Sequence, residues 1–311
     1  TGEGDAQKLS RAHSLEVDIA GERTPIAALV GVNRGDLVLL NDRDLTYAKV
    51  RLDEKSLTTL IDHIGQIDDP LSRAVCWAAA WDMCRDAEMR SDDYLSLVLS
   101  GIASESDPNA LSALRGQAQL AAVAYTPVAN RPTQRARLTA GFAALLKDSA
   151  PGSDHQLAFA SQLVSAIDTP AGATLLKAWL KGEEVPEGLE VDADMRWRIT
   201  CALARMGAIG EAEIAAEAER DQTITGQEYA AGARSALRDP KAKAEAWRLA
   251  TEDPNVPNGT HSAICSWFWS YGATDILADY ADKYLAVTRQ ISAGEGIWAK
   301  AGHAATQHVL L

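Results

Sequence analysis

The chain has 311 residues, 47% of them apolar, with 43 acidic against 30 basic side chains and a net charge of −13. A chain this apolar buries a core rather than staying disordered, and a surface this acidic repels a phosphate backbone, which argues against nucleic acid as a partner. No run approaches the roughly 18 to 20 apolar residues of a membrane span, and the polar lead TGEGDAQKLSRA lacks the apolar stretch of a signal peptide.

Strand signals come first. In HSLEVDI, Leu15, Val17 and Ile19 alternate with Ser14, Glu16 and Asp18; Gly21 marks a turn, and TPIAALV follows. DLVLL is a continuous apolar run, and TYAKVRL alternates again, with Tyr47, Lys49 and Arg51 opposite Ala48, Val50 and Leu52. Three or four short strands make a poor domain by themselves, so they are expected to need a partner sheet or helices to lean on.

From Asp53 onward the pattern is helical, and residues 54–311 are expected to form a second domain. Asp69-Pro70, Asp107-Pro108, Thr169-Pro170 and Asp239-Pro240 each place a capping side chain before a proline at the first helical position. Ser91 before Asp92 and Asp93 reads as another cap, with acids at the positive helix end. Between Leu71 and Met89, Leu71, Ala74, Val75 and Ala78 form one apolar stripe and Trp77, Trp81 and Cys84 a second, so this helix is expected to be covered on two sides. Short links and abundant alanine suit paired helices. The expected fold is therefore mainly α: an irregular αα-hairpin superhelix of HEAT or armadillo type, preceded by the short strand segment. No clean sequence period supports a regular repeat array.

The four cysteines, Cys76, Cys84, Cys201 and Cys265, form no C-x-x-C pair. On one helix Cys76 and Cys84 would stand about 12 Å apart, too far for a disulfide. Buried free thiols in a reducing, cytoplasmic setting are expected.

Catalytic patterns are missing. None of the six histidines begins an H-E-x-x-H zinc helix, His303 and His308 are five apart and off a common face, and no His/Cys cluster has structural-zinc spacing. Neither a G-x-S-x-G elbow nor a phosphate-binding glycine loop appears. Aromatic and arginine clusters stand out instead. Arg73, Trp77, Trp81 and Arg85 recur every four residues, Trp197 lies between Arg196 and Arg198, and Trp267, Trp269 and Tyr271 flank Phe268. They fit core packing with surface ion pairs first, and alternatively some of them a concave contact surface, where Trp and Arg are favoured.

The segments LLNDRDLTYAKVRLDEKSLTTL and IDDPLSRAVCWAAAWDMCRDAEM resemble the actinobacterial branch of the aminopeptidase N family, zinc-dependent gluzincins. Asn41, Tyr47, Lys49, Val50 and Asp53 match the two strands that close that family's β-sandwich before its large helical domain, so the resemblance implies that residues 1–53 are the C-terminal part or the whole of a small β-sandwich. The likeness continues through DMRWRITCALARMGAIGEAEIAAEAERDQTITGQ and PKAKAEAWRLAT, and the helical part resembles the one shared with endoplasmic reticulum aminopeptidase.

The family's zinc helix, glutamate ligand, G-x-M-E-N loop and catalytic tyrosine all lie upstream of this kind of segment, and none is present. The resemblance therefore implies a C-terminal region with no catalytic or metal residue and no cofactor of its own, the zinc being held upstream. Its implied role is a lid that encloses peptides for an enzyme removing N-terminal amino acids, with the upstream catalytic domain and the peptide as partners. On that reading Arg73, Trp77, Trp81, Arg85, Arg196, Trp197, Arg198, Trp267, Trp269 and Tyr271 are candidates for lining the cavity or binding peptide, and the chain alone is inactive. A free-standing α-solenoid that binds protein partners is the alternative.

Overall fold

The computed structural model describes residues 9–270 and 273–295; the candidate Tyr271, and His303 and His308, lie outside them. In chain order the helices are α1 (Glu54–His63), α2 (Pro70–Arg85), α3 (Ser91–Gly101), α4 (Pro108–Val123), α5 (Arg131–Asp148), α6 (Asp154–Ala166), α7 (Pro170–Leu180), α8 (Ala193–Arg205), α9 (Glu211–Arg220), α10 (Ile224–Ala236), α11 (Pro240–Thr251), α12 (Asn258–Phe268), α13 (Thr274–Leu277) and α14 (Tyr280–Ser292). They divide into two compact units, residues 1–149 with 154–159, and residues 150–153 with 160–311.

The caps explain where these helices start. Asp69, Asp107, Thr169 and Asp239 each accept a backbone N–H from the first turn, with proline at its head, as the sequence predicts. Ser91 behaves differently from expectation. It lies inside α3, after Arg90, and its hydroxyl bonds Thr126 Oγ1 at 3.0 Å, so that hydroxyl ties α3 to the chain after α4. Asp92 and Asp93 do occupy the first turn.

Alternate helices pack side by side within each unit. In the first, α3 lies against α1 and α5; in the second, α10 lies against α8 and α12; in both, consecutive helices also touch. This is the neighbour pattern of stacked αα-hairpins. Small residues bring α10 close to its neighbours: a Cβ on Gly232 would stand 2.8 Å from the Trp267 ring.

Two expectations change. On α2 the stripe of Leu71, Ala74 and Ala78 faces solvent, while Val75, Cys76, Trp77, Ala79, Ala80, Met83 and Cys84 are buried. One broad arc of α2 is covered, because alanines lose little by staying exposed. The β-sandwich segment is also not formed among the described residues. The strand-like stretch is an extended arm, and the one β-bridge among the described residues is an isolated parallel one ahead of it, from Leu9 to Ile67. Period-two patterning makes a chain ready for a ladder but cannot supply a partner strand.

Polar contacts seat the arm on the helices. Arg11 reaches Asp42 at 2.6 Å and Asp69 at 3.0 Å, Lys49 and Arg51 converge on Asp86, and Val38 N–H donates to Ser56 Oγ at 2.9 Å. Asn41, in the left-handed region at φ 57°, closes a turn by accepting from Thr46 N–H at 3.0 Å and donating to Thr46 O at 2.8 Å. Asp53 then caps α1. The Ser56 N–H that it accepts holds its carboxyl down to about 2, helped by Arg34. Val50 and Leu52 are buried, but Leu15, Val17, Ile19, Val30, Leu45 and Tyr47 are exposed.

Candidate functional site

The sequence-predicted arginines and tryptophans fall into three clusters. In the first unit, Arg73 on α2 donates through Nε to Glu105 Oε1 at 2.5 Å and through Nη1 to Ile67 O at 2.6 Å. Trp77, one turn on, donates to the same Glu105 oxygen at 2.7 Å. His155 bonds the Glu105 carbonyl at 2.7 Å. This bracket is almost dry, with 11% of the Arg73 side chain and 9% of the Glu105 side chain exposed. A buried arginine bonded to its carboxylate braces helices, and its charge is already satisfied.

Trp81 and Arg85, further along α2, sit differently. Trp81 is half-buried, with its ring centroid 5.1 Å from Tyr94 and 5.7 Å from Tyr125. Tyr94 donates to Gln117 at 2.5 Å, and burial raises the pKa of its hydroxyl well above the ordinary value. Arg85 is exposed and meets Asp82 only at 4.0 Å.

In the second unit Arg196, Trp197 and Arg198 point apart, as successive helical residues must. Arg196 pairs with Glu217 through two bonds of 2.6 Å and donates to Leu180 O at 2.8 Å, and the bonds to Glu217 raise its pKa. Trp197 donates to Asp221 at 2.8 Å and stacks on Tyr229. Arg198 takes Asp194 at 2.6 Å. Tyr229 also donates to Asp194, and burial, then that carboxylate, pushes its hydroxyl up to about 12.

The third cluster surrounds Phe268. Trp267 packs on Gly232, while Trp269 is 41% exposed and borders an apolar groove of about 440 Å³ with Ala281, Tyr284 and Leu285. Nearby is a residue that the sequence did not single out. Lys243 is fully buried and donates to Ser235 O at 2.5 Å and Phe268 O at 2.7 Å, at the C-terminal ends of α10 and α12. Burial, with Arg238 nearby, lowers its pKa to about 8. Glu105, Glu217 and Asp221 also escaped notice, because acids beyond the ends of α3 and along α9 look like solvated charge until the fold brings an arginine or indole to them.

No three His, Cys, Asp or Glu side chains among the described residues are grouped to hold an ion. His261 is bonded to Ala250 O at 3.0 Å, and burial pushes the neighbouring Cys265 thiol up to about 11. The buried thiols of Cys76 and Cys201 rise to about 12 for the same reason, far from a nucleophilic thiolate. Zinc does not fit this donor set.

Paired helices braced by arginine–carboxylate contacts describe an αα-hairpin domain, and the chain belongs to the family of ERAP1-like C-terminal domains, whose model matches residues 37–309. It is similar to the aminopeptidase N of Streptomyces lividans, being 42% identical over 304 residues. The match covers 98% of this chain and 35% of that protein, so the chain spans about a third of its relative's length. No helix among the described residues is long and apolar enough to cross a membrane.

Proposed function

We propose that these 311 residues are the non-catalytic, substrate-enclosing part of a cytoplasmic zinc aminopeptidase that removes N-terminal amino acids from peptides. The supporting observation is the 42% identity to an aminopeptidase N across 98% of this chain. The zinc and the catalytic groups belong to an upstream domain of the same polypeptide, and residues 1–53 complete a β-sandwich with strands of that region. Leu15, Val17, Ile19, Val30 and Tyr47, exposed on the arm, are then covered.

Helical hairpins that close over a catalytic domain position the substrate and exclude water. Of the candidate residues, Trp81, Arg85, Trp269 and Tyr271 are proposed to meet peptide. Arg73, Trp77, Arg196, Trp197, Arg198 and Trp267 are proposed to hold the walls on which the others stand. The purified chain is expected to bind no stoichiometric zinc and to release nothing from aminoacyl anilides. Zinc-dependent turnover by these residues alone would refute the assignment.

A further inference from the structure

The distribution of charge marks one surface apart from the rest. Between Asp107 and Asp148 lie 40 residues with no acidic side chain and five basic ones, Arg115, Arg131, Arg135, Arg137 and Lys147. The remaining chain holds 25 basic and 43 acidic residues, a net −18. This acid-free stretch builds α4, α5 and the link between them.

The link carries exposed apolar side chains. Val128 is 72% exposed, Tyr125 44% and Leu120 42%. Tyr125 leans on Trp81, and the turn itself is pinned, because Thr126 Oγ1 donates to Ala121 O at 2.8 Å and contacts Ser91. Arg131 follows immediately. Its Nε donates to Thr126 O at 3.1 Å, which fixes the guanidinium at this link, and among the described residues it has no carboxylate within 4.0 Å. A held guanidinium with unused terminal donors, beside apolar area, suits a carboxylate carried on an apolar chain.

We propose that Leu120, Tyr125, Val128 and Arg131 form a docking surface for an acidic peptide segment, the apolar trio taking an aliphatic side chain and Arg131 an Asp or Glu carboxylate. The inference rests on the reading that this domain meets peptides, and it adds a preference. In a protein that repels acidic chains almost everywhere, this is the face that accepts them.

The test is fluorescence anisotropy on the full chain with three fluorescein-labelled dodecapeptides of alternating Leu and Glu, Leu and Gln, or Leu and Lys. The Glu peptide should bind about tenfold or more tightly than the Gln peptide, in line with one charge-assisted contact, and should weaken between 50 and 300 mM NaCl. Arg131→Gln and Val128→Asp should each weaken the Glu peptide about five- to tenfold, and Arg131→Lys should retain most of the affinity. Arg238→Gln, in the other unit, should have no effect. Urea midpoints of the variants verify that they fold. Equal binding of all three peptides, preference for the Lys peptide, or indifference to Arg131→Gln would overturn this inference and leave peptide contact standing. Binding of none would overturn both.

Discussion

The α2–α3 connection of the first unit and the α8–α9 connection of the second are the same device built twice, 120 residues apart. Trp77 and Trp197 occupy equivalent places, α2 and α8 end at Arg85 and Arg205, and α3 and α9 begin at Ser91 and Glu211. Each connection turns on a left-handed residue, Ala87 at φ 61° and Gly207 at φ 68°. Each tryptophan donates to a carboxylate just beyond the next helix, Glu105 or Asp221. The difference lies in how the acids are shared. Glu105 serves both Arg73 and Trp77, whereas in the second unit Glu217 serves Arg196 and Asp221 serves Trp197. The first unit concentrates its bracing on one side chain and the second divides it.

Removing the shared acid should therefore cost most. Glu105→Ala strands a nearly buried guanidinium and an indole N–H together, and is expected to lose roughly 3–5 kcal/mol in urea unfolding. Glu217→Ala should fall near the lower end, about 3 kcal/mol, because Trp197 keeps Asp221. Asp221→Ala should lose only about 1–2 kcal/mol, one unsatisfied donor. Equal losses at Glu105 and Asp221 would break the comparison.

A pH series sharpens it, because the second unit also buries Lys243 against two carbonyls and the Phe268 ring, with no carboxylate among these contacts. Its folded pKa lies near 8, below the ordinary 10.5. The folded state therefore gives up this proton first. Below pH 8 the buried charge weighs against folding, and stability gains of order 3 kcal/mol accrue as pH rises from 8 through 10.5. The buried cysteines work in the opposite sense, since their folded pKa values are raised. The measurement is thus the difference between the wild type and Lys243→Met: the wild type should gain on the variant across that window, and parallel pH profiles would contradict the assignment.

The smallest effect is at the turns. Ala87→Gly should stabilise by about 1 kcal/mol, because a Cβ is disfavoured in the left-handed region, and Gly207→Ala should destabilise by a similar amount. Differential scanning calorimetry resolves both, and the same sign for the two would show that the turns are not equivalent.

The helix starts were legible because a cap is local: Asp69-Pro70 or Asp239-Pro240 declares itself within two residues. The doubled connection was not, since little but tryptophan, arginine and a left-handed residue recur at the 120-residue interval. The roles of Arg73 and Arg196 could not be read either, because the carboxylates that absorb them lie 32 and 21 residues away. The arm between residues 13 and 52 failed in the other direction. Its alternation is real, with Val50 and Leu52 buried and Tyr47 and Lys49 exposed, but a strand requires a second chain segment that alternation cannot provide. On the candidate surface, Trp81 and Arg85 stood out by spacing, whereas Val128 and Arg131 emerged only once the acid-free link was seen to be exposed.

The seating of that arm has a consequence for handling the protein. Its grip on the helices is largely ionic and exposed, through Arg11, Lys49 and Arg51 on Asp42, Asp69 and Asp86, whereas the helical units are held by apolar packing and by nearly buried arginine–carboxylate pairs. Salt screens the one and leaves the other intact. Limited trypsin digestion should therefore trim the arm faster as ionic strength rises while sparing the helices, so that buffer composition decides where the protected body of this protein begins.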